Sequence, residues 1–150
     1  MKVVGWFGSR YGGDEKVIRL LLEMLKRKYG DELMILVGDC VGVDEMVYKC
    51  CKELGIKVGV VKVWNNWVKL CYRCDENDVV EVVGKGIERL RDRLRMRSKR
   101  LVELVRELGG VMIGYRVDGK GSRLVMRLCK EMGVRCYVVD EVRKKVVRRC

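Results

Sequence analysis

Five short apolar runs recur along this chain, separated by longer stretches with helical spacing. The runs are "KVVGWFG" (2–8), "LMILVG" (33–38), "KVGVVKV" (57–63), "GVMIGY" (110–115) and "VRCYVV" (134–139). They are largely apolar at odd and even positions alike, the pattern of strands covered on both faces. After the first run, Val17, Leu20, Leu21, Met24 and Leu25 predict a helix, with Asp14 as its N-cap. Met46, Val47, Cys50, Cys51 and Leu54 predict a second helix, closed by Gly55. An irregular stretch, "WNNWVKLCYRCDEND", precedes a third helical pattern at Ile87, Leu90, Leu94, Leu101, Leu104 and Leu108. Leu124, Val125, Leu128 and Met132 predict a fourth helix, closed by Gly133. Such repetition implies an α/β chain: a Rossmann-like three-layer α/β/α sandwich on a mainly parallel sheet of about five strands. Residues 1–140 are expected to form this domain, with 141–150 as a basic C-terminal tail.

A chain of 150 residues can bury a core of this kind without staples. No uncharged run approaches the roughly 18 to 20 residues of a membrane span. The apolar stretch in "MKVVGWFGSR" is too short for a signal peptide. A cytoplasmic protein with no membrane partner is expected.

Ala, Thr, Pro, His and Gln are absent throughout. Every codon for these five residues has cytosine in its first or second position, so one mutational pressure on the coding strand accounts for all of them. Bias of that strength points to a small replicon such as a virus or plasmid, with a host cytoplasm as the setting. A gene of ordinary cytosine content would remove this argument. Under the same pressure, Ser or Val can stand where relatives use Thr or Ala.

The same bias favours Cys, of which there are eight. Only "CYRC" (71–74) has a suggestive spacing, and no second pair or histidines follow it at finger spacing, so no metal site is expected. The thiols are left as free groups or as a local or redox disulfide; intracellular disulfides are a habit of hyperthermophiles.

Net charge is +12 and uneven: residues 1–75 carry 13 Lys+Arg against 10 Asp+Glu, and residues 76–150 carry 20 against 11. "RLRDRLRMRSKR" (89–100) and "VRKKVVRRC" (142–150) hold much of it. A basic half favours a polyanionic partner; the alternative is a solvated helix face and a frayed tail.

Parallel sheets place ligands beyond the C-terminal ends of their strands. Three such ends carry glycine turns: "FGSR" (7–10), "GDCVGVD" (38–44) and "DGKGS" (118–122). Glycine admits a ligand close to the backbone, and helix N-termini offer unpaired N–H groups. The stricter Walker and dinucleotide fingerprints are missing, which argues against an ordinary P-loop kinase or dinucleotide dehydrogenase.

The order of these motifs resembles the SLOG superfamily, which includes DprA-type, LOG-type and YspA-like proteins. Gly8, Ser9 and Arg10 match its G-S-R-like turn. Gly38, Gly42, Val43 and Asp44 match its G-G-A-x-G-V-D loop, and Gly121 with Ser122 stands at its S-x-G-T turn. "VWNNW" (63–67) and "RSKRLVELV" (97–105) look like degraded forms of two further motifs.

The resemblance implies a nucleotide or other phosphate-containing ligand, the only cofactor expected. Gly8, Ser9, Arg10, Gly119, Gly121, Ser122 and Arg97 would hold its phosphate. Gly38 and Gly42 would form a wall, and Asp44 or Asp39 would accept hydrogen bonds from ribose or base. Asp44 as a helix N-cap, and Arg97 as a solvated side chain, are the structural alternatives. LOG-type hydrolases need a Glu where this chain has Val125, so sensing or weak hydrolysis is expected rather than their full chemistry. The resemblance also implies a homodimer or larger assembly.

A second hypothesis is a DprA-like binder of single-stranded nucleic acid. Arg91, Arg95, Lys99, Arg100, Lys144 and Lys145 would contact the backbone, and Trp64, Trp67 or Tyr72 would stack on bases. Core or dimer packing is the alternative for the tryptophans. A fold retained as a structural protein of the replicon is the third hypothesis.

Overall fold

A computed structural model of the chain describes residues 1–64 and 69–148. All five predicted strands are present: β1 (Lys2–Gly8), β2 (Leu33–Gly38), β3 (Lys57–Val63), β5 (Val111–Tyr115) and β6 (Cys136–Asp140). Two more join them, β4 (Val79–Val83) and β7 (Lys145–Arg148), in a single sheet of order β4-β3-β2-β1-β5-β6-β7. Between these strands every pairing is parallel except β6 with β7.

The two additional strands were hidden for different reasons. β4 follows "CYRCDEND" directly and is an edge strand whose register with β3 shifts between Val60 and Val61, so its apolar pattern is broken. β7 lies in the segment expected to be a tail. Its Val146 and Val147 are flanked by Lys145 and Arg148, and it is paired from Tyr137–Arg148 to Asp140–Lys145. A charged outer strand suits a sheet edge, where unpaired backbone groups must not invite another chain.

Among the described residues, four α-helices cover the sheet: α1 (Glu15–Tyr29), α2 (Val43–Leu54), α3 (Leu90–Glu107) and α4 (Lys120–Met132). Asp14 caps α1 by accepting the Lys16 N–H at 2.9 Å. Gly55 and Gly133 close α2 and α4 in left-handed conformations. α3 starts at Leu90, three residues after Ile87, because Arg93 turns back to donate to the carbonyls of Ile87 and Glu88.

The core divides by face. Trp6, Ile18, Leu22, Ile35, Val47 and Val60 pack beneath α1 and α2. Phe7, Leu36, Val61, Leu101, Val102 and Cys129 pack beneath α3 and α4. The chain runs from β1 outward to β4, then crosses back by α3 to β5 on the other side of β1. The strand order therefore reverses between β1 and β5, which is where such sheets open a crevice. No helix among the described residues is long and apolar enough to cross a membrane.

Candidate functional site

A cavity of about 540 Å³ opens at that reversal, lined by Ser9, Tyr11, Gly12, Arg116, Val117 and Asp118. Its volume lies within the range of small-molecule sites, roughly 300–1,000 Å³. The β1 loop turns on the Ser9 carbonyl, which accepts the N–H groups of Gly12 and of Val43. The Ser9 hydroxyl accepts the Tyr11 N–H at 3.1 Å. Tyr11 is 85% exposed, and the Arg10 guanidinium lies over its ring, 5.1 Å from the centroid. Arg10 has no carboxylate partner among the described residues.

On the β5 side, the Tyr115 ring lies against Gly13, and its hydroxyl ties the two loops together. It accepts the Asp14 N–H at 3.0 Å and donates to the Glu141 carboxylate. Glu141 also accepts from Arg116, 2.8 Å away, and these two bonds hold its carboxyl below the usual range. Arg116 adopts a left-handed φ of 55° at the rim of the cavity. Sequence reasoning missed Arg116 and Tyr115, because neither belongs to a glycine turn.

Beyond Asp118, Gly119 is the N-cap of α4, which has no side-chain cap and no acidic residue in its first turn. Its leading N–H groups have no intrahelical partner, and the helix dipole adds partial positive charge there. Lys120 and Arg123 contribute two exposed cations to the same turn. A side chain at Gly121 would meet nothing within 4 Å, so that face is open. Ser122 is different: it is 5% exposed and faces into the fold.

The remaining predicted residues form a second, inner cluster. Asp39, at the end of β2, is fully buried and accepts the Val63 N–H at 3.2 Å and the Arg97 guanidinium at 2.9 Å. Arg97 reaches down from α3 and is 8% exposed, so it is neither solvated nor turned toward the crevice. Burial works against its charge, but Asp39, Cys40 and Asp44 outweigh that effect.

Asp44 is the second residue of α2, not its N-cap, which is Gly42. A side chain at Gly38 would meet the Asp44 carboxyl at 3.0 Å and the Arg97 guanidinium at 3.1 Å, so both groups crowd the same point. Burial, aided by the charge of Asp39 and opposed by Arg97, pushes the Asp44 carboxyl up to about 7. Asp39 is thus withdrawn from any ligand by its own ion pair.

The motif glycines serve contact. A Cβ on Gly8 would lie 2.1 Å from the Tyr115 carbonyl oxygen, and one on Gly42 would lie 2.3 Å from that of Ser9. Gly42 also has φ near +94°, which disfavours any other residue. The loop at 38–44 is therefore a seat for the β1 loop.

The basic stretches separate. On α3, Arg91, Arg95 and Lys99 are exposed at four-residue spacing, while Arg100 is held by Glu81, Glu103 and Glu107. Lys144 and Lys145 lie at the opposite end of the sheet, beside or within the outermost strand β7. Tyr72 is buried, donating to the Gly38 carbonyl at 2.8 Å and packed against the Tyr48 ring, so it offers no stacking face. Trp64 is 40% exposed, and Trp67 lies outside the described residues. No group of three or more His, Cys, Asp or Glu side chains placed to hold a metal occurs among the described residues.

No protein-family model matches the chain, and no curated protein matches it in sequence. Among solved structures, the X-ray structure of TM1055, a structural genomics target, is similar, with a TM-score of 0.60 at 18% identity. The match covers 91% of this chain and 72% of that one. The fold is Rossmann-like. At that identity the likeness speaks for architecture alone, and the chemistry rests on the two clusters described above.

Proposed function

We propose that the chain is a SLOG-type domain that binds a nucleotide or nucleotide derivative in the crevice between the β1 and β5 loops. The observation that carries this reading is the cavity at the strand-order reversal, beside an uncapped α4 N-terminus with no carboxylate in its first turn. Phosphate oxygens would meet the first N–H groups of α4, Lys120, Arg123 and Arg10, with Tyr11 available to a base. Asp118 would face the sugar or base, since a carboxylate repels phosphate. The Rossmann-like fold supports the reading and does not specify the ligand.

The reading is of a binder or sensor. Val125 stands where LOG-type hydrolases place Glu and is 4% exposed in the core under α4, so the site lacks that acid–base group. A thermal-shift series with inorganic phosphate, nucleoside monophosphates and diphosphates, and dinucleotides tests it. A ligand at 100 times its Kd adds roughly 2.7 kcal/mol of stability. Stabilisation lost in Arg10→Ala is the expected result; no stabilisation by any of them at millimolar concentration refutes the proposal.

A second reading, a binder of single-stranded nucleic acid, is favoured by the exposed Arg91–Arg95–Lys99 stripe. It predicts affinity for an oligonucleotide that falls steeply between 50 and 200 mM salt, on the order of a factor of ten or more for a few phosphate contacts. The replicon origin is carried by the missing residues alone and is tested by the cytosine content of the gene.

A further inference from the structure

The segment before β4 returns to the β2 loop and pairs with it for one step. Cys40 and Cys71 form an isolated antiparallel bridge. The Val41 N–H donates to the Leu70 carbonyl at 3.0 Å, and the Tyr72 N–H donates to the Asp39 carbonyl at 3.0 Å. The hydrogen bonds thus belong to the residues on either side, which makes Cys40 and Cys71 a non-hydrogen-bonded antiparallel pair. In such a pair the Cα atoms stand about 4.5 Å apart and the side chains project together on one face. That spacing lies inside the range of about 4.4–6.8 Å that a disulfide requires. The Tyr72 hydroxyl on the Gly38 carbonyl fixes the same register a third time.

We propose that Cys40 and Cys71 form a reversible disulfide when the folded chain meets a low-molecular-weight disulfide, stapling residues 70–72 over the buried Asp39–Arg97 pair. Both residues are partly exposed, so a small oxidant can reach them. Both thiols also border the ion pair, Cys40 bonding to Arg97 and Cys71 to Asp39. The sequence points instead to Cys71 with Cys74, but those side chains divide between faces. Cys71 packs against the core under α3 and α4, and Cys74 against the core under α1 and α2.

The step is thiol–disulfide exchange. One protein thiolate attacks a sulfur of the small disulfide, forming a mixed disulfide and releasing one small thiol. The second protein thiolate then displaces the other small thiol and closes the S–S bond. Two protons leave the protein thiols, and the two electrons reduce the small disulfide to its two thiols. Burial pushes the Cys71 thiol up to about 12 and raises that of Cys40, so closure is slow at neutral pH and faster in mild base.

The proposal stands apart from the nucleotide reading and is tested without any nucleotide. The native protein is incubated with oxidised glutathione at pH 8.5, the remaining thiols are alkylated, and the chain is cut with trypsin without reduction. Cleavage after Lys28, Lys49, Lys69, Arg73 and Lys85 isolates Cys40, Cys71 and Cys74 on three peptides, 29–49, 70–73 and 74–85. The expected product is the 29–49/70–73 cross-linked pair, retained in Cys74→Ser and absent in Cys40→Ser. The oxidised protein should melt at higher temperature than the reduced one, and dithiothreitol should reverse the gain. A 70–73/74–85 pair, glutathione adducts without closure, fully alkylated thiols, or an unchanged or lower Tm on closure would each overturn it.

Discussion

Replacing Asp44 with Asn should change how stability depends on pH, and its size follows from the charges around Arg97. One guanidinium lies among two buried carboxyls, Asp39 and Asp44, and is bonded to Asp39. The second carboxyl is held as an acid up to about pH 7, against an ordinary value of 3.8. In that window the folded chain keeps a proton that the unfolded chain releases. Stability from this group is therefore present below pH 3.8 and is lost as pH rises toward 7. The loss is about 1.4 kcal/mol per pH unit, hence up to roughly 3 kcal/mol between pH 5 and 8.

An asparagine keeps an oxygen for the Cys40 N–H but has no proton to lose. Urea unfolding of both proteins at pH 5, 6, 7 and 8, followed by tryptophan fluorescence, to which the fully buried Trp6 contributes, measures the difference. Asp44→Asn should gain on the wild type by about 3 kcal/mol from pH 5 to pH 8, whatever its offset at any single pH. Parallel curves for the two proteins would refute the argument that Asp44 is the surplus carboxyl.

Three further outcomes follow from the same geometry. Arg97→Met should cost about 3–5 kcal/mol in denaturant unfolding, because it strands Asp39 without its cation, and Asp39→Asn in the same chain should recover part of the loss. Gly8→Ala should lower stability by roughly 1–3 kcal/mol and lower Tm, since its Cβ meets the Tyr115 carbonyl oxygen; an unchanged Tm would deny that contact. Gly121→Ala lies in open space inside α4 and should raise stability by about 0.5–1 kcal/mol. If a phosphate approaches the backbone there, the same variant loses ligand-induced stabilisation in the thermal-shift series, which separates binding from folding.

Much of the architecture was legible because its causes are local. A strand covered on both faces must be apolar throughout, and a helix end needs Asp14 before it or Gly55 and Gly133 after it. β4 and β7 were not legible: one is bulged at an edge, and the other is four residues whose pairing depends on Tyr137–Asp140 being next to it. The candidate site was legible as a set of loops but not as a division of labour. Ser9, Gly119 and Gly121 belong at or beside the crevice, whereas Asp39, Asp44 and Arg97 belong to an inner charge cluster.

The sequence by itself determined the α/β class, the five central strands, the caps and the three turns at the strand ends. Each follows from residues a few positions apart. Tertiary structure alone decided that Arg97 meets Asp39 across 58 positions, that Cys71 faces Cys40 and turns from Cys74, and that Gly42 makes room for the Ser9 carbonyl. Those pairings depend on which loops the sheet order brings to one edge. Periodicity carries no information about neighbours so distant in the chain.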